Sequence, residues 1–247
     1  MNDTKFLPID SYGLKGYYMV MLFFRKEPSL LDASRKERHN AIDRLISQGT
    51  FDSGYYLLLL VAILIVTPGL LIDNVAVIIG GMILAPLLIP LLSISLSLVS
   101  GNVRGFVRSV KILIFSIVIT IATSAGLTLA LAEAGIVVNW IPDQINTGVY
   151  IFIAFCSGIA ASFAWVKENL SSSVAGVAVA VSLLPPLCAA GIGIALWQPL
   201  LINNSLILFL ANLVGICMAG FLVFWILGFI DTAGVEEKAI KKAEKSD

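Results

Sequence analysis

Six long apolar runs divide this chain, and they constrain its fold more than any other feature. They cover about residues 54–72, 74–100, 109–131, 148–166, 173–198 and 203–230. A transmembrane helix needs about 20 apolar residues to cross a hydrocarbon layer of about 30 Å. Hydrophobic residues make up 58% of the sequence, whereas soluble domains have roughly 45–50% apolar residues even with glycine included. The sequence therefore predicts an all-α polytopic membrane protein with six transmembrane helices that contact the lipid bilayer.

The basic residues predict the orientation of these spans. Of 16 Lys and Arg residues, eight precede residue 50 and four follow residue 235. The remaining four are Arg104, Arg108, Lys111 and Lys167. They lie in or beside the loops 101–108 and 167–172, and basic residues favour the cytoplasmic side of short loops. We therefore expect a cytoplasmic N-terminal segment at 1–52 and a charged cytoplasmic tail at 231–247.

Residues 33–49 of the N-terminal segment have the pattern of an amphipathic helix. Ala41, Ile42, Leu45 and Ile46 fall on one helical stripe, and Gly49 is a typical stop signal. Such a helix lies either on the membrane surface, with its basic residues at the lipid headgroups, or under the membrane domain as a packed element. The sequence favours neither position.

The membrane domain, residues 53–230, divides into two halves of three spans, about 54–131 and 148–230. A shift of 100 residues places "VIIGGMILAPLLIPLLSISLSL" on "VAVAVSLLPPLCAAGIGIALWQ", with six identical positions that include Pro86 and Pro186. Because each half has an odd number of spans, the second half enters the membrane from the opposite side. The sequence thus predicts a 3+3 inverted repeat, an architecture of many secondary transporters, with spans two and five broken at proline.

Each predicted break has a chemical consequence. Proline lacks an N–H, and its ring clashes with the carbonyl four residues earlier. We therefore expect free carbonyls at Met82 and at 181–182, which suit a cation. The helices that restart after Pro86 and after Pro185 and Pro186 present N-terminal ends near the membrane midplane, and such ends attract negative groups. Of these two kinds of ligand, we slightly favour an anionic or carboxylate one.

Small and polar residues near the breaks complete the predicted site. The expected substrate- or ion-binding residues are Gly80, Gly81, Pro86, Ser93, Ser97, Ser182, Pro185, Pro186 and Asn212. Prolines and glycines also kink or pack membrane helices without binding a ligand, and Asn212 equally fits a role in helix association. At the predicted outer mouth, Asp73 beside Asn74 either caps the second span or attracts a cation. We expect no metal ion and no cofactor.

The absence of common enzyme motifs narrows the possible classes of function. The sequence has no HExxH, GxSxG, P-loop or CxxC pattern, so we expect neither an enzyme nor a nucleic-acid-binding protein. The scarcity of charged side chains within the spans argues against a buried carboxylate proton relay. We interpret the chain as a transporter of a small solute or ion that assembles as a homo-oligomer. A passive ion channel and a non-transporting membrane scaffold or sensor are the alternatives.

Three motifs resemble a known family. They are "LLIDNVAVIIGGMILAPLLIPLLSISLSLVSGN" at 70–102, "VAGVAVAVSLLPPLCAAGIGIALW" at 174–197 and "FLANLVGICMAGFLVFWILGF" at 209–229. Together they are similar to the domain-of-unknown-function family 389, over about residues 53–230. Val75 stands where many members of that family carry proline. The resemblance implies a protein of the cytoplasmic membrane of a bacterium or archaeon, and it implies no particular substrate.

Overall fold

The computed structural model describes residues 33–48, 53–133, 147–167 and 172–243, with side chains in the last range from residue 183 onward. The predictions for residues 1–32, for most of the loop 132–147 and for the side chain of Ser182 fall outside these residues. Within them the secondary structure is helical, with no strand. The helices are α1 (Arg35–Gln48), α2 (Ser53–Leu71), α3 (Val75–Leu84), α4 (Leu88–Ser100), α5 (Val103–Glu133), α6 (Thr147–Val166), α7 (Ser172–Ala195), α8 (Pro199–Ile226) and α9 (Ala233–Ala243), with a 3₁₀ turn at Ile230–Thr232.

The helices follow the apolar runs of the sequence. Among the described residues, α2, α5, α6 and α8 are long and apolar enough to cross a bilayer, and the count is five when α3 and α4 are taken as one bent span. The predicted fifth span coincides with α7, of which only Leu183–Ala195 enters this comparison as a shorter apolar helix. The multi-pass helical character is therefore confirmed, whereas the six spans and the 3+3 repeat are not.

The helix α7 occupies the centre of the bundle. It packs against α2, α3, α5, α6 and α8. Its side chains Leu183, Leu184, Leu187 and Cys188 are fully buried. Beside it, α6 and α8 approach closely through small residues, since a Cβ placed on Gly158 would lie 2.9 Å from the Cα of Ile216. Small residues at helix contacts are typical of membrane bundles, because they let two backbones come together.

The two predicted proline breaks have different outcomes. Between α3 and α4 the chain bends by 51° at residues 85–87, and this bent pair is either a broken span or a re-entrant loop. In contrast, α7 runs as one helix through Pro185 and Pro186. The predicted break of the fifth span is therefore not confirmed. The tight packing of α7 among five other helices provides the physical reason, because a bend there would open the buried contacts of the bundle.

One turn geometry closes two helical hairpins, between α2 and α3 and between α7 and α8. Asp73 has φ 52° and Trp197 has φ 55°, both in the left-handed region. The amide of the following residue, Asn74 or Gln198, donates to the carbonyl five residues earlier at 2.9 Å in each turn. These turns hold the two hairpins tightly closed.

The helices α1 and α9 form a layer at one end of the bundle. Ser34 and Glu37 make reciprocal hydrogen bonds at the start of α1, the pattern of a capping box. The predicted stripe of α1 is buried, and α1 packs against α4, α6 and α9. Of the two positions that the sequence leaves open for this helix, the structure has the packed one.

Candidate functional site

The bend between α3 and α4 is a capped break. Ala85 ends α3 with φ −74° and ψ 120°, an extended conformation typical of a residue before proline. Its amide donates to the carbonyl of Met82 at 3.2 Å. The prediction of a free carbonyl at Met82 is therefore wrong, because the amide of Ala85 replaces the missing amide of Pro86. The helix α4 then restarts at Leu88 with a buried first turn.

The two predicted glycines of α3 have different surroundings. A Cβ on Gly81 would lie 2.7 Å from Cγ2 of Val66 in α2, so this position requires the close approach that glycine permits. Gly80 is exposed, and no described atom lies within 4 Å of a Cβ placed there. Only Gly81 therefore has a structural role in positioning α3 against the bundle.

A row of hydroxyl groups lies on the buried face of α5. The row consists of Ser116, Thr120, Ser124 and Thr128, one turn apart and all buried. At 1.5 Å per residue it extends over about 18 Å, more than half of a hydrocarbon layer. Ser116, Thr120 and Thr128 each donate to the carbonyl four residues earlier. Their oxygens therefore keep lone pairs that are free to accept a hydrogen bond or contact a cation.

The hydroxyl row connects three helices. The hydroxyl of Tyr55 in α2 lies 3.0 Å from Oγ of Ser116. Thr67 donates to Ser124 at 3.1 Å, and Ser124 donates in turn to the carbonyl of Cys188 in α7 at 2.8 Å. These residues are not among the predicted site residues. The signal that could have revealed the row is the repeat of Ser or Thr at every fourth position from 116 to 128 in an otherwise apolar helix.

The predicted site residues outside α3 and the bend lie on three helices. Ser93 is buried in α4 and Asn212 is buried in α8. Ser97 lies near the other end of α4, where it donates to Glu236. Pro185 is half-buried and Pro186 buried within the continuous helix α7. Ser93 and Ser97 lie one turn apart on the same helix, α4, and Ser97 contacts α9.

Asp73 and Asn74, the residues of the predicted outer mouth, have different positions in the structure. Asn74 is the N-cap of α3, and its Oδ1 accepts from the amide of Val77 at 3.2 Å. Asp73 precedes the cap in the left-handed region and is exposed. The capping role predicted for Asp73 therefore belongs to Asn74, because an N-cap needs an extended backbone that Asp73 does not have.

One carboxylate of the predicted charged tail is buried in the structure. Glu236, in the first turn of α9, is fully buried. It accepts hydrogen bonds from the hydroxyls of Ser97 and of Ser100, the latter at 2.5 Å. Burial raises the pKa of the Glu236 carboxyl above its usual range, and hydrogen bonds from Ser100 and Ser97 partly offset that rise. The sequence signal is its spacing of four from Thr232 and Ile240, which lie on the same buried stripe.

An ion pair joins α1 to the end of α6. The Nζ atom of Lys167, which is buried, lies 3.2 Å from Oε1 of Glu37. Burial raises the pKa of the Glu37 carboxyl, but hydrogen bonds from Ser34 and Lys167 outweigh that effect and leave the pKa below its usual value. Arg44 donates to the carbonyl of Trp165 at 2.7 Å. Glu37 thus faces a positively charged partner, whereas Glu236 faces hydroxyl groups.

The central part of the chain is similar to a known protein family. The family model described as a domain of unknown function, DUF389, matches residues 82–218, more than half of the chain. An uncharacterised protein of Methanocaldococcus jannaschii is 32% identical over 173 residues, which cover 68% of this chain and 52% of the relative. The chain thus spans about half the length of the curated relative that it matches. No solved structure matches the chain.

Proposed function

Because this chain belongs to the DUF389 family, whose function is unknown, we propose its activity from its own geometry: it transports a small solute or ion across a membrane. The observation that carries this proposal is the 51° bend within an apolar span. A break inside an apolar span costs backbone hydrogen bonds in lipid unless protein or water satisfies them. Broken spans of this kind form the substrate sites of many secondary transporters.

The ligand site lies where α4 restarts after the bend. The N-terminal end of a helix carries about half a positive charge and several unpaired N–H groups. The carbonyl of Met82 already accepts from Ala85. In the first turn of α4 the amide of Ile89 donates to the carbonyl of Pro86 at 3.3 Å and Pro90 has no N–H, so at most the amides of Leu87 and Leu88 are left for a ligand. We therefore favour an anionic ligand, such as a small carboxylate, at this point. A cation would instead use the oxygens of the hydroxyl row.

The second half of the transport cycle involves α7. Pro185 and Pro186 remove two backbone donors from this helix, which makes residues 181–186 its weakest segment. In an inverted repeat the two halves exchange conformations as the site opens to one side and then the other. We propose that α7 bends at its prolines in the opposite state, which would restore the predicted symmetry with α3 and α4. The protein would lie in a prokaryotic cytoplasmic membrane with both ends inside, as a homo-oligomer.

A passive channel is the second candidate, and the hydroxyl row favours it. Four hydroxyls one turn apart on α5, joined to α2 and α7, provide the kind of oxygen lining that ions require. A channel and a carrier differ in rate and in the effect of the bend. A channel along α5 depends on Ser124, whereas a carrier depends on Pro86.

The test is solute flux by the purified protein in liposomes. Chloride, acetate and succinate are supplied as anions, and Na⁺, K⁺ and H⁺ gradients are imposed in turn. We expect a saturable anion flux that falls at least tenfold in Pro86→Ala. Pro199→Ala is the matched control, because Pro199 stands at the first position of α8, where a proline breaks no helical hydrogen bond.

The outcomes separate the candidates. Flux that is lost in Pro86→Ala and kept in Pro199→Ala supports the carrier. Electrical current that is insensitive to Pro86→Ala but reduced in Ser124→Ala supports the channel. If both proline variants fold and carry the same flux as the unaltered protein, the site at the bend does not exist. Absence of flux for every probe contradicts transport of small inorganic ions and simple carboxylates.

A further inference from the structure

The buried carboxyl of Glu236 stands apart from the other acidic groups that the structure describes. Its hydrogen-bond partners are neutral hydroxyls, those of Ser97 and Ser100. Within the described residues it forms no ion pair, whereas Glu37 and Glu237 each face a lysine. An ionised carboxylate without a counter-charge is costly in a buried position, and such a group tends to take up a proton instead.

The pocket around Glu236 is built by three helices. Ser97 and Ser100 come from the last turn of α4, which ends at Gly101 with φ 73°. Asn102 caps α5, since its Oδ1 accepts from the amide of Gly105 at 3.1 Å. A Cβ placed on Gly105 would overlap both Oε1 of Glu236 and Oγ of Ser97. Position 105 therefore leaves room for a carboxyl group that arrives from α9.

Charged groups surround this pocket without entering it. On α5, Nη1 of Arg104 lies 4.0 Å from Oε1 of Glu237, and on α9 Lys241 pairs with Glu237 at 2.8 Å. Arg108 follows one turn later on α5. The helix α4 carries no charged residue. On the side of α1, a cavity of about 370 Å³ is lined by Arg35, Arg38, His39, Ile42, Gly228, Asp231, Thr232 and Val235.

The geometry accommodates both protonation states of the carboxyl. When ionised, it accepts from the two serine hydroxyls. When protonated, it donates to one serine oxygen, and the hydroxyl of Ser100 has a second acceptor in the carbonyl of Ser97 at 3.4 Å. The proton can therefore bind and leave without rebuilding the pocket. The neutral form avoids the cost of a buried charge, so the proton stabilises α9 in its docked position.

We propose that Glu236, Ser97 and Ser100 form a proton-binding site that holds α9 against the end of α4, so that a proton gates the movement of the broken span. The site lies on α4, the helix that restarts after the bend at Pro86. Loss of the proton leaves an uncompensated carboxylate, which is better solvated when α9 moves away into water. Release of α9 then frees the end of α4. The gating role rests on the proposed transport function, whereas the proton-binding site itself does not.

The sign of the pH dependence follows from the raised pKa. Docking of α9 is strongest below the ordinary glutamate value of about 4.3 and weakens as the pH rises through the higher pKa of the docked state. One proton changes the docking equilibrium by at most about tenfold per pH unit between these two pKa values, and the equilibrium no longer depends on pH above the higher one. Glu37 contributes the opposite dependence, because its lowered pKa stabilises the folded state at neutral and high pH.

The experiment measures hydrogen exchange of residues 233–243 in the full chain in lipid nanodiscs, between about pH 5 and pH 9. Each protection factor is normalised to the intrinsic exchange rate at the same pH. We expect protection of α9 to fall with rising pH in the unaltered protein and to stay constant in Glu236→Gln, which mimics the protonated group. Glu237→Gln is the matched control on the same helix, and it should keep the slope of the unaltered protein.

A second variant guards against misfolding of the first. Ser100→Ala removes a hydrogen bond that favours the ionised carboxyl, so the midpoint of the exchange profile should move to higher pH. The proposal fails if the unaltered protein shows no slope, if Glu236→Gln keeps the slope, or if Ser100→Ala leaves the midpoint in place or moves it down.

Flux in liposomes separates this proposal from the transport function. An exchange slope together with a flux that depends on pH, and that loses this dependence in Glu236→Gln, supports proton gating. An exchange slope with a pH-independent flux supports the proton site and contradicts its gating role. A flux with no exchange slope contradicts the site and leaves transport standing.

Discussion

Two proline-containing segments of this protein have the same kind of sequence and different structures. At Pro86 the chain ends one helix and begins another at an angle of 51°. At Pro185 and Pro186, with two prolines rather than one, α7 continues as a single helix. Proline weakens a helix at both places, but it breaks only one of them. The difference shows that the surroundings of a proline, rather than its presence, decide whether a span bends.

The surroundings of the two segments differ in burial. Ile79, Ile83 and Leu84 of α3 are exposed, so this helix lies at the edge of the bundle. The neighbouring residues of Pro185 and Pro186, Leu184 and Leu187, are fully buried. A bend at the edge displaces few contacts, whereas a bend in α7 would separate it from the helices around it. Packing therefore keeps α7 continuous despite two missing backbone hydrogen bonds.

The strongest way to break this comparison is to disturb the packing of α7. A Cβ on Gly191 would lie 2.7 Å from the carbonyl oxygen of Ile121 and 2.8 Å from Cβ of Ser124. Because backbone atoms cannot move aside cheaply, we expect Gly191→Ala to lower the free energy of unfolding by about 3 kcal/mol or more. The thermal unfolding midpoint in detergent measures the effect.

Gly126→Ala provides the control for this prediction. It is a glycine of α5 with no described atom within 4 Å of a placed Cβ. Its replacement should leave stability unchanged or raise it by up to about 1 kcal/mol, because alanine favours a helix over glycine. If the two variants unfold at the same temperature, close packing around α7 does not keep the helix continuous.

The prolines themselves sharpen the comparison. In α7 the double variant Pro185→Ala with Pro186→Ala restores two backbone donors to a helix that is already continuous. We expect it to stabilise the protein by up to about 3 kcal/mol. Pro86→Ala should change stability by less than about 1 kcal/mol, because Ala85 already satisfies the carbonyl that proline leaves free. Chemical unfolding of both variants tests the difference, and equal effects would show that the two segments respond alike.

The contact of α7 with the hydroxyl row has a smaller expected effect than the removal of its two prolines. Ser124→Ala removes the acceptor of Thr67 and the donor to Cys188. Hydrogen bonds between membrane helices contribute modestly, so we expect a loss of about 1 kcal/mol. Thr123→Ala, a half-buried neighbour on the same helix, should cost less. A loss in Thr123→Ala that equals that in Ser124→Ala would mean that the row does not tie α5 to α7.

Local sequence was sufficient for the helices and insufficient for the site. The apolar runs placed α2 and α6 to within a few residues, because each depends on its own composition. The position of Ser97 could not be predicted in the same way. Its partner Glu236 lies 139 residues away, and the distance along the sequence carries no information about which helix end α9 contacts. Tyr55 and Thr67 were missed for the same reason.

By itself, the sequence determined that the chain builds several long apolar helices, and it marked with proline the positions where a helix is weakened. Hydrophobic composition and the missing amide of proline act over a few residues, so they are readable without neighbours. The tertiary structure alone decided that α7 stays continuous through Pro185 and Pro186, that the hydroxyls of α5 meet α2 and α7, and that the carboxyl of Glu236 is buried. These features depend on which helices pack together, and packing brings into contact residues that are far apart in the chain.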